Sequence, residues 1–480
     1  MHLFSTPSSL QDSDTSHSCQ VESPLEFPLE FPLHAPETGK PQLILNSSLQ
    51  REDKAPLAES NLPHLTTNPP LQSCRVCIII PVRNEAKNLP AVIQALAHQV
   101  NSEGKPIDFD SYEVLVLANN CSDNTVEVSH KLSSLYPALR LHTIEVFLPK
   151  TEAFVGKARQ MVMDEAYRRL SSIGAKNRII ASTDGDTEVA SNWISALINE
   201  FDQGVDAVGG RILTHRSAAP EIDTSTSLYF LRLLGHGYIV SQIECLLAPQ
   251  SHDGWPRHCQ YYGANMAVLA EVYGRVGGMP LVEDEEDVAL YERLKRADAK
   301  IRHSLSVRVL TSARRDGRAT GGLAERLEEL AHTSKERQVV FVELPQITEA
   351  RILVRQQLRQ IWDLSHKPAQ FRVRHYERTG MLLSKYLGLS PLCLRQAIEQ
   401  ASTFGMLLEL VITHQRQQIN SQIFSGATME IGQANMHLRG RLQLIRQQID
   451  PLQLESRPAD PFFLLQTLQQ VQAIPLFSFA

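Results

Sequence analysis

Short apolar runs and helix-period stripes alternate along the middle of this chain. Val76-Cys77-Ile78-Ile79-Ile80 is continuous and rich in β-branched residues, the pattern of a strand buried on both faces. Residues 86–99 follow with Leu89, Val92, Ile93 and Leu96 on one helical stripe. Val114 to Leu117 predicts a second strand, Asn124 to Ser134 a helix, and Leu141 to Phe147 a third strand. A helix over 156–171 and a fourth strand over 178–183 come next. Trp193 to Phe201 reads as a helix, with Trp193 in the core, and Asp206 to Arg211 as a short strand. Tyr262 to Ala267 is a small-residue segment that lets backbone approach a ligand. Val288 to Arg296 predicts a helix, and Ile301 to Leu310 a closing strand. Strands alternating with helices predict an α/β fold with a mostly parallel sheet flanked by helices.

The two ends differ. Residues 1–72 are dense in proline and repeat Pro-Leu-Glu-Phe at Pro24 and Pro28, which blocks helix and sheet and predicts a disordered tail. Residues 73–327 form the α/β domain. From Leu323 the pattern turns helical, with breaks near Pro345, Pro368, Pro391 and Pro451, so 328–480 is expected to be a helical region; it carries no catalytic motif.

Composition narrows the class. Hydrophobic residues make up 42% of the 480, enough for a sizeable core, and the net charge of -6 disfavours a nucleic-acid partner. Seven scattered cysteines do not make a disulfide framework, and Cys74 and Cys77 read as small strand residues rather than zinc ligands. No stretch reaches the roughly 18 apolar residues of a membrane span. Leu228 to Leu247 is interrupted by Arg232, His236, Gln242 and Glu244. The start lacks the pattern of a signal peptide. A cytoplasmic setting is expected, with at most peripheral contact at a membrane surface.

Candidate chemistry clusters at strand ends, where α/β sheets bind ligands. Pro81-Val82-Arg83-Asn84-Glu85, Asn119 to Asp123, and Thr183-Asp184-Gly185-Asp186 each follow a predicted strand. Asp184 and Asp186 offer oxygen ligands to a hard cation, Mn2+ or Mg2+, able to hold a diphosphate. Glu283 to Asp287 opens a helix, where acidic residues also act as simple caps. Lys157 and Arg159 sit at a helix start, either reaching phosphates or lining a solvated face. Arg314, Arg315 and Arg318 form a basic loop that either closes over a diphosphate or lies on the surface. His303 is a candidate third metal ligand, though a lone strand histidine is more often structural, and Trp255 is a candidate stacking platform.

In their order, these clusters resemble the family 2 glycosyltransferases, which have the GT-A fold. Ile78 to Glu85 is similar to the family's opening strand and Pro-x-x-Asn-Glu turn, Val114 to Thr125 to its nucleotide loop, and Ser182 to Asp186 to its metal motif. Gly277-Gly278, Glu286-Asp287, Leu290 and Arg293-Leu294 resemble its later signature. The resemblance covers about Arg75 to Leu327. It implies transfer of a sugar from a nucleoside-diphosphate donor to an acceptor hydroxyl, with inversion. It implies Asp186 on the metal, Asp184 on the metal or ribose, Asp287 as general base and Glu286 orienting the acceptor. Glu85 and Asp123 would hold ribose and base, with Pro81, Arg83, Asn84 and Asn120 in the same pocket and Lys157, Arg159, Arg315 and Arg318 toward the phosphates. Asn119 and Asn120 depart from the family's acidic residues, which leaves the base open. The Gln-x-x-Arg-Trp pattern of processive synthases is absent, so one transfer per acceptor is expected. The acceptor stays open among lipid, saccharide, small metabolite and protein. A nucleotidyltransferase and a non-catalytic sugar-nucleotide-binding protein are the alternatives; the first normally needs a Gly-rich loop that Pro81 to Glu85 lacks.

Overall fold

The computed structural model describes residues 56–58, 62–174, 176–214, 223–312, 314, 322–336, 338–366, 373–418, 428–448, 474 and 476. Arg315, Arg318 and the Pro-Leu-Glu-Phe repeat lie outside them. The first half runs β1 (Val76–Val82), α1 (Leu89–Ala97), β2 (Tyr112–Asn119), α2 (Thr125–Leu135), β3 (Leu141–Val146), α3 (Val155–Ser172) and β4 (Ile179–Thr183). Then come β5 (Thr187–Val189), α4 (Trp193–Asp202), β6 (Ala207–Thr214), α5 (Thr224–Leu247), β7 (Asn265–Leu269), α6 (Ala270–Arg275), α7 (Glu286–Arg296) and β8 (Ile301–Thr311). The remainder is α8 (Leu323–Lys335), β9 (Phe341–Glu343), α9 (Pro345–Ser365), α10 (Val373–Leu387), α11 (Pro391–Gln400), α12 (Phe404–Gln418), β10 (Thr428–Glu430) and α13 (Ile431–Gln448).

The central sheet has the order β3-β2-β1-β4-β7-β6-β8-β5. β3, β2, β1 and β4 are parallel, with Ile79 opposite Leu115 and Ile78 opposite Ala181. Every residue of β1, β2 and β4 is buried, which is why each carries a short continuous apolar run. α3 packs across β1, and α4 across β8. The α/β plan and the helical C-terminal region are therefore as expected.

Three features differ from the sequence reading. The segment from Tyr262 was expected as a close-approach loop, but it enters β7, antiparallel to both β4 and β6. Asn265 allows this. Its amide accepts from the Trp193 indole at 2.9 Å and donates to Arg211 and Val307 carbonyls, so a polar residue sits satisfied inside the sheet. Residues 62–72, expected as tail, lie against α3. Thr66 accepts from Arg169 at 2.6 Å and donates to Glu165, and the Asn68 carbonyl takes a second Arg169 bond. Arg169 also pairs with Glu113, both wholly buried, so the strap supplies acceptors for a buried guanidinium. Finally, α8 runs through the expected boundary at 327, so no chain break falls there.

The helical region has its own core, with Val354, Leu358, Leu383, Leu394 and Leu407 fully or almost fully buried. It is anchored to the far end of α7. The Asp298 carboxylate accepts from the Phe404 and Gly405 amides at 2.8 and 3.0 Å, and Arg296 pairs with Glu409 at 3.0 Å.

Candidate active site

The three polar clusters fall together beyond the carboxyl ends of β1, β2 and β4, and two left-handed asparagines knit the first loops. Asn84 has φ of 57° and accepts from the Ser122 amide at 2.7 Å, joining the β1 loop to the β2 loop. Asn120 has φ of 50° and exchanges two amide hydrogen bonds with the Leu148 backbone, at 2.8 and 2.9 Å. Asparagine tolerates this backbone region better than other residues with a Cβ. Asn120 was expected on the nucleotide base, but both ends of its amide are engaged in holding the β3 loop. Asp123 accepts from the Ala86 and Thr125 amides at 3.2 and 3.0 Å, and Thr125 Oγ1 accepts from the Glu85 amide at 2.8 Å. Pro81 lies inside β1, opposite Leu117, and Arg83 reaches the Ala153 carbonyl at 3.2 Å.

Asp184 and Asp186 follow β4 on a tight turn. Gly185 between them is pressed on the β1 loop: a Cβ there would lie 2.6 Å from Val82 Cγ1 and 2.9 Å from Glu85 Cγ. The two carboxylates therefore flank a glycine for steric reasons, and Glu85 is brought to the same place. Burial, with Asp184 and Glu85 beside it and Arg314 opposing, pushes the Asp186 carboxyl up to about 6. Arg314 spans this acidic group, 2.6 Å from Glu85 and 3.1 Å from Asp186.

Arg159 is the residue that joins the two halves of the site. It lies one turn into α3, only 4% exposed. Its guanidinium donates to Glu286 at 2.9 Å, Asp184 at 2.9 Å, Ser182 Oγ at 2.6 Å and the Gly263 carbonyl at 3.1 Å. Gly263 has to be glycine here, since a Cβ would meet the guanidinium carbon at 2.6 Å. Neither expected role, phosphate contact nor solvated face, matches this burial; Arg159 is an internal tie. Lys157 makes a long contact to Gln160 at 3.4 Å and does not join the cluster among the described residues.

α7 begins at Glu286, the fourth residue of the acidic run Glu283 to Asp287. Glu283, Asp284 and Glu285 are exposed. The Glu286 carboxylate turns inward onto Arg159 rather than outward to an acceptor, which corrects the orienting role expected for it. The Asp287 carboxylate accepts from the Gly263 amide at 2.6 Å and the Val288 amide at 2.7 Å. Burial, then the adjacent Glu286, pushes its carboxyl up, with the Gly263 amide and Arg159 opposing. A carboxylate raised in this way is a better proton acceptor than a solvated one.

Part of the chain is similar to known proteins. Residues 77–245, from β1 to the last turn of α5, match the family model described as glycosyl transferase family 2. This stretch of the chain is similar to that family. Glycosyltransferase AglE of Haloferax volcanii is 30% identical over 138 residues, covering 28% of this chain and 39% of that protein. The chain thus matches about two fifths of that relative's length. Among solved structures, the mannosyltransferase PcManGT from Pyrobaculum calidifontis, in complex with GDP-Man and Mn2+, is 17% identical with a TM-score of 0.36, covering 75% of this chain and 85% of that one. S. aureus TarS 1-349 in complex with UDP-GlcNAc is 12% identical with a TM-score of 0.37, covering 74% and 96%.

Other expected residues of the transferase domain stand apart from the cluster. His303 is buried, with Asp253 accepting from its Nδ1 at 2.8 Å and the Tyr291 hydroxyl 3.4 Å from its Nε2, so both ring nitrogens face protein groups rather than the cluster. Trp255 is 44% exposed and meets Tyr238 edge-on. Cys74 and Cys77 are buried core residues of the β1 region. The residue that sequence reasoning misjudged most is Arg159. The available signal was a basic side chain on the Ala158-Val162-Ala166 stripe, the buried side of α3. Among the described residues, no helix is long and apolar enough to cross a membrane.

Proposed function

We propose that the protein is a metal-dependent inverting glycosyltransferase that moves a sugar from a nucleoside diphosphate to an acceptor hydroxyl, once per acceptor. The observation that carries this is the single hydrogen-bonded cluster Asp184–Arg159–Gly263–Asp287. It sets a donor-side carboxylate and a half-buried, proton-accepting carboxylate at one site. The family 2 match over 77–245 supports the same reading.

The donor set suits Mn2+ or Mg2+. Among the described residues, no group of three His, Cys, Asp or Glu side chains is arranged to hold a metal alone. An ion bound through one or two carboxylates and completed by substrate phosphates is the usual arrangement for Mg2+ at nucleotide sites. Asp186, its carboxyl raised by burial and then by the neighbouring Asp184 and Glu85, gains from a divalent charge beside it. Asp186 would hold the ion, with Asp184 as second ligand. The ion would supply positive charge to the departing diphosphate.

The remaining steps belong to the chain itself. The β1 and β2 loops, tied through Asn84, Asp123 and Thr125, form the wall for ribose and base, with Glu85 at its floor. Arg159 neutralises Asp184 and Glu286 together, which leaves Asp287 the carboxylate free of an ion pair with it. Asp287 takes the acceptor proton as the hydroxyl attacks the anomeric carbon from the face opposite the diphosphate. The expected cytoplasmic setting and peripheral membrane contact belong to this proposal and are not needed by the chemistry. Asp287→Asn tests it: sugar transfer falls by about 100-fold or more, while nucleoside-diphosphate affinity is retained. Unchanged turnover would remove Asp287 from the mechanism.

A further inference from the structure

The donor-side carboxylates already have a cation. Arg314 places Nη2 2.6 Å from Glu85 Oε1 and 3.1 Å from Asp186 Oδ2, and Nη1 3.1 Å from Glu85 Oε2. Its position is fixed from behind, because the Ser312 amide donates to the Asp186 carbonyl at 3.2 Å and Ser312 Oγ accepts from the Arg314 amide at 3.3 Å. The guanidinium is only partly exposed, and Glu85 is 6% exposed, so the contact is formed out of bulk solvent. Fork geometry on a carboxylate is what arginine provides and lysine does not.

We propose that Arg314 is an internal counter-cation that the divalent ion must displace, so that it sets the metal affinity of the site. The inference rests on the metal reading given above. A guanidinium 3.1 Å from Asp186 Oδ2 and a divalent ion on the same carboxylate repel each other and compete for one set of lone pairs. The metal-competent state is then the fraction of molecules in which Arg314 has let go of Asp186. Apparent affinity is reduced by that fraction, and removing the competitor restores it. The chemistry also gives the displaced arginine a use, since an anionic donor arriving with the ion meets a freed positive charge. The carboxylates are thus never left bare: arginine holds them before the ion arrives, and the ion holds them afterwards.

Direct titration of the full chain with Mn2+, read from the loss of the free-ion electron paramagnetic resonance signal, tests this without any activity measurement. Arg314→Ala is expected to tighten Mn2+ binding by about 10-fold, as for a state populated only about a tenth of the time. Arg314→Lys is expected to fall between that variant and the parent, because a point charge without the fork competes less well. Asp186→Asn is expected to abolish binding in either background. Mn2+ binding that is unchanged or weaker in Arg314→Ala, with Asp186→Asn still abolishing it, would overturn the role of Arg314 and leave the metal reading standing. No Mn2+ binding by parent or Arg314→Ala, with or without GDP or UDP, would overturn both.

Discussion

Replacing Arg159 with methionine keeps much of the side-chain volume and removes the guanidinium that ties the site together. Four acceptors lose a donor: Glu286, Asp184, Ser182 Oγ and the Gly263 carbonyl. They do not weigh equally. Asp184 is 33% exposed and is rescued by water, so its share is small. Glu286 is 6% exposed and is left as a buried charge without its partner. Breaking such a pair from one side costs about 3–5 kcal/mol, which for a domain of this size lowers Tm by roughly 10 °C. Chemical denaturation followed by circular dichroism measures the loss. Adding Glu286→Gln removes the stranded charge and is expected to recover roughly half of it. A loss below about 1 kcal/mol, or a double variant no more stable than Arg159→Met alone, would refute the argument that Arg159 acts as a buried tie.

Two further predictions concern the turn after β4 and the loop before β7. Gly185→Ala forces a Cβ to 2.6 Å from Val82 and 2.9 Å from Glu85, so the metal motif must shift; a cost of about 1–3 kcal/mol and weaker Mn2+ binding by titration are expected, and parent-like affinity would show that the turn yields elsewhere. His258 is 3% exposed, accepts from the Gln260 amide at Nδ1 and donates from Nε2 to the Ser304 carbonyl, so the fold holds it neutral, its imidazole pushed down to about 3 by burial and the neighbouring His303. The unfolded chain takes up that proton from about pH 6.5 downward, so the stability His258 contributes is present above pH 6.5 and is lost as pH falls toward 3, by about 5 kcal/mol in all. Urea midpoints across that range are expected to fall more steeply in the parent than in His258→Gln, and equal slopes would contradict the assignment.

The parts of the site that the sequence made legible are those fixed locally. A parallel strand buried on both faces is mostly apolar, so the runs inside β1, β2 and β4 announce themselves, and the polar loops after them lie at the ligand-binding edge. The choice of Glu286-Asp287 from an acidic run of five residues came from the family resemblance, which places Leu290, Arg293 and Leu294 after them. What stayed hidden depends on contacts far apart in the chain. Arg159 and Glu286 are 127 residues apart, and the α3 pattern, which can set Arg159 on the buried side, cannot name the carboxylate it meets there. β7 was missed because its polar Asn265 is satisfied by partners on α4, β6 and β8 that only the folded chain supplies. The strap at 62–72 looked like tail because its hydrogen bonds run through backbone amides and carbonyls and one threonine, which carry no periodic signal. The helical C-terminal region showed no catalytic motif and its role stayed open, yet its Phe404 and Gly405 amides bond Asp298, just past the helix that begins with Glu286 and Asp287.

The central claim is that Asp184 and Asp186 hold a nucleoside diphosphate through a divalent ion. Thermal unfolding of the full chain with GDP and UDP, each with and without Mn2+, tests it most directly. A ligand at about 100 times its Kd stabilises the folded state by about 2.7 kcal/mol, so a clear rise in Tm is predicted for at least one nucleotide, only with the metal, and not in Asp186→Asn. No metal-dependent shift with either nucleotide, or an undiminished shift in Asp186→Asn, would contradict the account.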